Sequence, residues 1–194
     1  MFLAVLFVIG SFAFLEVTGN YASQTLEAHN RYRRTHEAGP LRLNQAMSSN
    51  AAGYARTLAR TGRFKHSPKS SRTDRTNGEN LVYRCSSYDE PLPAKQAVKQ
   101  LYDEVCQYNF NRPGFSMATG HFTQLIWKAS TELGVGTATK RKGRMNCLYV
   151  VFRYKRGGNV PRAYETNAVR GSFRRSYCDT LAKKDEPEQM YDEN

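Results

Sequence analysis

The residues able to do chemistry are few. The 194-residue chain holds four histidines (His29, His36, His66 and His121) and four cysteines (Cys85, Cys106, Cys147 and Cys178). An imidazole can ligate zinc, move a proton near neutrality, or hydrogen-bond inside a core. Local spacing assigns none of these roles, because the chain has no H-E-x-x-H and no C-x-x-C. Hydrolysis also lacks a recognisable nucleophile. No serine stands in G-x-S-x-G, and Ser67 beside His66 reads as a turn residue. Cys106 lies two positions after Glu104 on a predicted helix, so the two side chains point to different sides. A different kind of surface is offered by Tyr108-x-Phe110-x-x-x-x-Phe115, which straddles the helix-breaking Asn111-Arg112-Pro113-Gly114. Aromatics on such a loop can form a flat apolar slot or enter a membrane interface. The alternative is that two of the three pin the loop to the core.

Charge and address narrow the partners. Lys and Arg number 29 against 17 Asp and Glu, a net charge of +12. Basic clusters recur at Arg31, Arg33, Arg34; at Arg60, Arg63, Lys65; at Lys140, Arg141, Lys142, Arg144; and at Arg170, Arg174, Arg175. Such clusters attract anionic lipid headgroups or heparin-like glycans, and equally could bind nucleic acid. The N-terminus decides against nucleic acid. Residues 1–15 are almost wholly apolar, and small residues follow up to Gly19, which reads as a signal peptide over 1–19 cleaved close to Asn20. The run is too short for the roughly 20 residues that cross a bilayer. A secreted, extracellular protein is expected. The even cysteine count suits an oxidising compartment, with three pairings open. No N-x-[ST] sequon is present, so N-glycosylation is not expected.

These residues need a scaffold. Tyr21 to His36 reads as a helix with Leu26, His29, Tyr32 and Arg33 on one face, stopped by Gly39 and Pro40. Asn44 to Thr61 reads as a second helix. Residues 67–78 form a polar loop, Pro93 opens a third helix towards Tyr108, and Thr119 caps a short fourth one through Trp127. The period then changes. Leu133, Val135, Thr137 and Thr139 alternate, and Cys147 to Tyr154 is β-rich, with the basic turn Lys140 to Arg144 between them. Helices first and strands later imply an α+β domain over 20–181 with a small antiparallel sheet. The acidic stretch 182–194 reads as a disordered tail.

Five segments in this order carry a resemblance: Lys65-His66-Ser67-Pro68, Gly78-Glu79-Asn80-Leu81, Tyr102-Asp103-Glu104-Val105, Gly120-His121-Phe122-Thr123-Gln124-Leu125-Ile126-Trp127, and Tyr149 to Val160. They resemble the CAP superfamily of cysteine-rich secretory, antigen 5 and plant pathogenesis-related proteins (the SCP domain). The segment Tyr108 to Phe115 looks most like the Golgi-associated branch. Two departures stand out: Phe152 where secreted members often have a cysteine, and Leu101 where many have a tryptophan. The resemblance implies a three-layer α-β-α sandwich. It also implies that His66, Glu79, Glu104 and His121 converge in one cleft, either as a zinc site or as a hydrogen-bonded tetrad. It ties the Tyr108, Phe110 and Phe115 loop to sterol binding. The expected function is a non-enzymatic binder of lipids, sterols or extracellular partners, with a zinc-dependent hydrolase on the tetrad as the alternative.

Overall fold

The computed structural model describes residues 9–87 and 92–185. Residues 1–8 of the expected leader and 186–194 of the expected tail lie outside them. The elements run α1 (Ile9–Thr35), β1 (Arg42–Leu43), α2 (Gln45–Thr61), β2 (Gly78–Ser86), α3 (Ala94–Asp103), α4 (Gly120–Ile126), β3 (Glu132–Lys142), β4 (Met145–Lys155), α5 (Tyr164–Asn167) and α6 (Ser176–Asp185). Helix α1 is continuous through the expected cleavage point, and α6 runs four residues into the stretch read as tail. Among the described residues, no helix is long and apolar enough to cross a membrane.

The sheet has the order β1-β3-β4-β2. The predicted hairpin is present, with strands longer than the alternation suggested. Lys140 to Lys142 still pair with β4, which leaves Gly143 and Arg144 as the turn. Gly143 there takes a left-handed φ of 58°, which glycine adopts without a Cβ clash. Strand β2 pairs antiparallel with β4, and the two-residue β1 pairs parallel with β3, so the sheet is mixed.

Each face of the sheet carries helices, and the result is the three-layer sandwich. One face packs α1, α3 and α4 against Val82, Leu148, Val150, Phe152 and Tyr154. Phe152 is fully buried there, its ring 5.3 Å from that of His29. The other face receives α2 through Ala51, Ala55, Leu58 and Ala59. That helix sits close because the register places Gly134, Gly136 and Ala138 on its side of β3. A Cβ at Gly136 would come within 2.0 Å of the Ala52 backbone nitrogen. Asn44 accepts from the Met47 N–H at the start of α2, and Gly62 ends it in the left-handed conformation.

Two disulfides tie the elements together. Cys85–Cys147 joins β2 to β4 at paired register positions, and Cys106–Cys178 ties the 3-10 turn after α3 to α6.

Candidate functional site

The four predicted His and Glu residues form two separate pairs. His66 Nδ1 donates to Glu79 Oε1 at 2.7 Å, and His121 Nδ1 donates to Glu104 Oε1 at 2.6 Å. Asn80, beside Glu79 on β2, donates through Nδ2 to the His121 carbonyl at 3.0 Å and so links the neighbourhoods of the two pairs. Among the described residues, no group of three or more His, Cys, Asp or Glu stands close enough to hold a metal ion.

Glu79 sits at the bottom of a polar well. Its side chain is 1% exposed, yet it is ringed by donors. Oε1 accepts the Ser67 backbone N–H at 2.9 Å, Oε2 accepts Ser67 Oγ at 2.9 Å, and the buried Arg153 guanidinium donates to Oε2 as well. Arg72 lies 3.5 Å from Oε1 and braces Ser67 from the other side. Burial works to raise the Glu79 carboxyl. The His66 hydrogen bond, the Arg153 charge and the Ser67 donors together outweigh it and hold the group below the usual carboxylate range. The loop over 67–78, read as a polar surface segment, thus sends Ser67 and Asn77 inward.

Glu104 does a different job. It follows α3, in the 3-10 turn Glu104–Gln107, and its Oε2 accepts the backbone N–H groups of His121 and Phe122, each at 3.0 Å. These are orphan donors in the first turn of α4. Thr119, predicted as the cap, makes no side-chain capping bond, and its hydroxyl has no partner. The correction has a physical cause. A carboxylate satisfies two N–H groups and favours the positive helix end, which a single hydroxyl does less well.

In both pairs the carboxylate is committed to protein donors, and the second imidazole nitrogen has no partner among the described residues. His66 is 57% exposed and His121 37%. The residues present therefore do not fit a metal centre with four protein ligands. They offer two carboxylate-backed imidazoles, an arrangement that orients a histidine tautomer. Ser67 Oγ is buried, donates to Glu79 and accepts from Arg72 and Arg153, so it is no nucleophile in waiting.

The other two histidines are structural. His29 Nδ1 donates to the Thr25 carbonyl and its Nε2 accepts from Tyr154. His36, expected to favour the α1 dipole when charged, is buried instead. It donates to the Val169 carbonyl and accepts from Tyr102. Burial lowers both from 6.5 to about 4, so both are neutral at pH 7.

Two arginines have buried roles that the sequence did not assign. Arg33, counted in a basic cluster but also placed on the helix face of Leu26, His29 and Tyr32, is fully buried and donates to the carbonyls of Gly39, Leu125, Trp127 and Ser130. Arg153 is equally buried under α2, where, among the described residues, its only charge partner within ion-pair distance is Glu79. For Arg33 the signal was its place on the apolar helix face; for Arg153 it is a cation amid the β-rich run Cys147 to Tyr154.

The aromatic loop divides. Tyr108 is buried, and Phe110 is partly buried among Tyr108, Phe122 and Phe173, with the Arg170 guanidinium over its ring. Phe115 is 59% exposed. It lies in a groove of about 490 Å³ with Pro113, Gly114, Pro161, Arg162, Tyr164 and Glu165. Met117 and Val160 are exposed as well.

Comparison with known proteins agrees with this architecture. Residues 26–154 match the model of the CAP, or cysteine-rich secretory protein, family. The chain is 41% identical over 140 residues to human Golgi-associated plant pathogenesis-related protein 1, covering 72% of this chain and 85% of that one. It is 32% identical to salivary antigen-5 of Dipetalogaster maximus, over 75% of this chain and 65% of that one. It is 31% identical to the secreted protein PRY1 of Candida albicans, over 74% of this chain but only 31% of the relative. Among solved structures, BmVAL-1 superposes with a TM-score of 0.59 at 20% identity, covering 72% of this chain and 78% of that one. NaASP2, determined with Zn2+, superposes at 0.56 and 23% identity, covering 71% and 80%. At these identities the likeness is one of fold.

Proposed function

Since this chain belongs to the CAP, or cysteine-rich secretory protein, family, we propose that it is a secreted, non-enzymatic binding protein that captures a lipid or sterol in the groove beneath Phe115. The observation that carries this reading is the exposed Phe115 ring over a groove lined by Pro113, Pro161 and Tyr164. An isolated exposed apolar residue needs no explanation, but Met117, two residues on, and Val160, which precedes Pro161 of the groove lining, are exposed as well. Burying such faces against an apolar ligand stabilises the complex by roughly 25 cal/mol per Å². Tyr108 and Phe110 act indirectly, by fixing the loop to the core so that Phe115 is presented at little entropic cost.

The extracellular address rests on the apolar leader, on the two disulfides, and on relatives named as secreted proteins. The hydrolase alternative draws no support from a site whose carboxylates are both engaged by protein donors. Zinc at His66 and His121 would use the two free imidazole nitrogens and take its remaining ligands from solvent. Equilibrium binding of a radiolabelled sterol tests the main reading. Phe115→Ser should abolish capture while the thermal midpoint stays within a degree or two of the parent. Capture equal to the parent's would overturn it.

A further inference from the structure

At the far end of the sheet from Glu132 and Lys155, β3 and β4 run on past the end of α2. On the face that α2 covers, the register aligns Lys140 and Lys142 with Cys147 and Met145, next to Tyr83 and Cys85 of β2. Helix α2 stops at Thr61, where Lys140 Nζ donates to the Arg60 carbonyl at 3.2 Å. Beyond that point the face forms a shelf on which Lys142, Arg144 and Met145 are exposed and Cys147 is buried. Phe64, 47% exposed, leans on Tyr83 with ring centroids 5.6 Å apart, and Lys142 Nζ donates to the Tyr83 hydroxyl at 3.0 Å.

Among the described residues, the cations around this shelf have no anionic partners; Asp89 and Glu90, three and four residues after β2, lie outside those residues. Among the described residues, the ion pairs involve Lys95, Lys99, Lys128, Lys155, Arg72 and Arg153, besides the two histidines, and none of the shelf's cations. The sequence has no Asp or Glu anywhere in 45–73 or 133–164. Clustered charge of one sign beside the exposed Phe64 and the half-buried Tyr83 favours a ligand of opposite charge.

We propose that this shelf, formed by Arg63, Phe64, Tyr83, Lys140, Lys142 and Arg144, is a binding site for sulfated glycan chains. The chemistry favours that polyanion over two others. Sulfate esters are permanently ionised and spaced along a sugar chain whose C–H faces can lie against Phe64 and Tyr83. Nucleic acid offers similar charge and stacking, but the two disulfides place the chain in an oxidising compartment. A bilayer would want several apolar side chains at the leading edge; the turn Gly143–Arg144 has none, and Met145 and Phe64 beside it are outnumbered by cations. The site is separate from the Phe115 groove and stands whether or not that groove binds lipid.

The test compares two variants of equal net charge. Arg63→Ser with Lys142→Ser and Arg144→Ser removes shelf cations. Lys69→Ser with Arg174→Ser and Arg175→Ser removes three exposed cations elsewhere. Binding to heparin is measured by surface plasmon resonance at physiological salt. The shelf variant should lose roughly a hundredfold in affinity, about a factor of five per cation at an anionic surface, and the control should lose far less. Sterol capture should be unchanged in both. Equal losses in the two variants would show attraction by net charge alone and overturn the site. Equal or tighter binding of the parent to single-stranded DNA, to phosphatidylserine vesicles or to fully desulfated heparin would overturn the glycan assignment.

Discussion

The two His–Glu pairs are made of the same residue types and set in opposite surroundings. Glu79 is 1% exposed and shares its charge with Arg153, Arg72 and both donors of Ser67. Glu104 is 19% exposed and spends its second oxygen on two backbone N–H groups of α4. The first pair holds a buried cation in place, and the second starts a helix. A pattern of two histidines and two glutamates says nothing about this division of labour, which comes from what each carboxylate must satisfy besides its imidazole.

The largest expected effect follows from that difference. Glu79→Ala would leave Arg153 buried with no counter-charge, since among the described residues no other acid lies within ion-pair distance of it. Breaking a buried pair by removing one partner costs about 3–5 kcal/mol. Urea unfolding should report a loss of that size. A loss below 1 kcal/mol would mean that Arg153 finds water or another partner, and the contrast with Glu104 would collapse.

Acid should act next, and through neither pair. His29 and His36 are held neutral by burial, each lowered from 6.5 to about 4. The unfolded chain therefore binds more protons between those values. Their contribution to stability is complete above pH 6.5 and falls away as the pH drops towards 4, with a limiting slope of about 1.4 kcal/mol per pH unit for each histidine. Glu79, depressed below its ordinary value, keeps its contribution until the pH passes below that range. Thermal midpoints should fall from pH 6.5 downwards, and His36→Gln should flatten the slope. An unchanged slope in that variant would assign the acid sensitivity elsewhere.

A smaller loss is expected for Glu104→Gln. The amide oxygen can still accept one N–H of α4, but the negative charge at the helix start is gone. The cost should be about 1–2 kcal/mol, in the range of a lost cap. A loss as large as that of Glu79→Ala would erase the distinction between a cap and a counter-charge.

Much of this fold was legible, and the failures share a cause. The β3–β4 hairpin could be read because Leu133, Val135, Thr137 and Thr139 all face one layer. The glycines between them mark where α2 comes close, which only the three-dimensional approach reveals. Strand β2 escaped the element reading because both its faces are covered over Glu79 to Val82, so the polar Glu79 and Asn80 break any alternation. The residues of both pairs were named in advance, through resemblance rather than spacing. The cap on α4 could not be found locally, because Glu104 reaches it from a turn seventeen residues earlier. Nor could the disulfide pairing, since four cysteines leave three choices until the strands are in register.

The smallest effects should come from the imidazoles themselves. His66→Ala removes one donor from Glu79, which keeps the Ser67 backbone and hydroxyl, Arg153 and the nearby Arg72. His121→Ala removes one donor from Glu104, which keeps both N–H groups of α4. Each histidine side chain is more than a third exposed, so little packing goes with it. Each substitution should cost under about 0.5 kcal/mol by urea unfolding. If instead either variant loses more than about 2 kcal/mol, the imidazole is part of the scaffold, and the two pairs differ less than their carboxylates suggest.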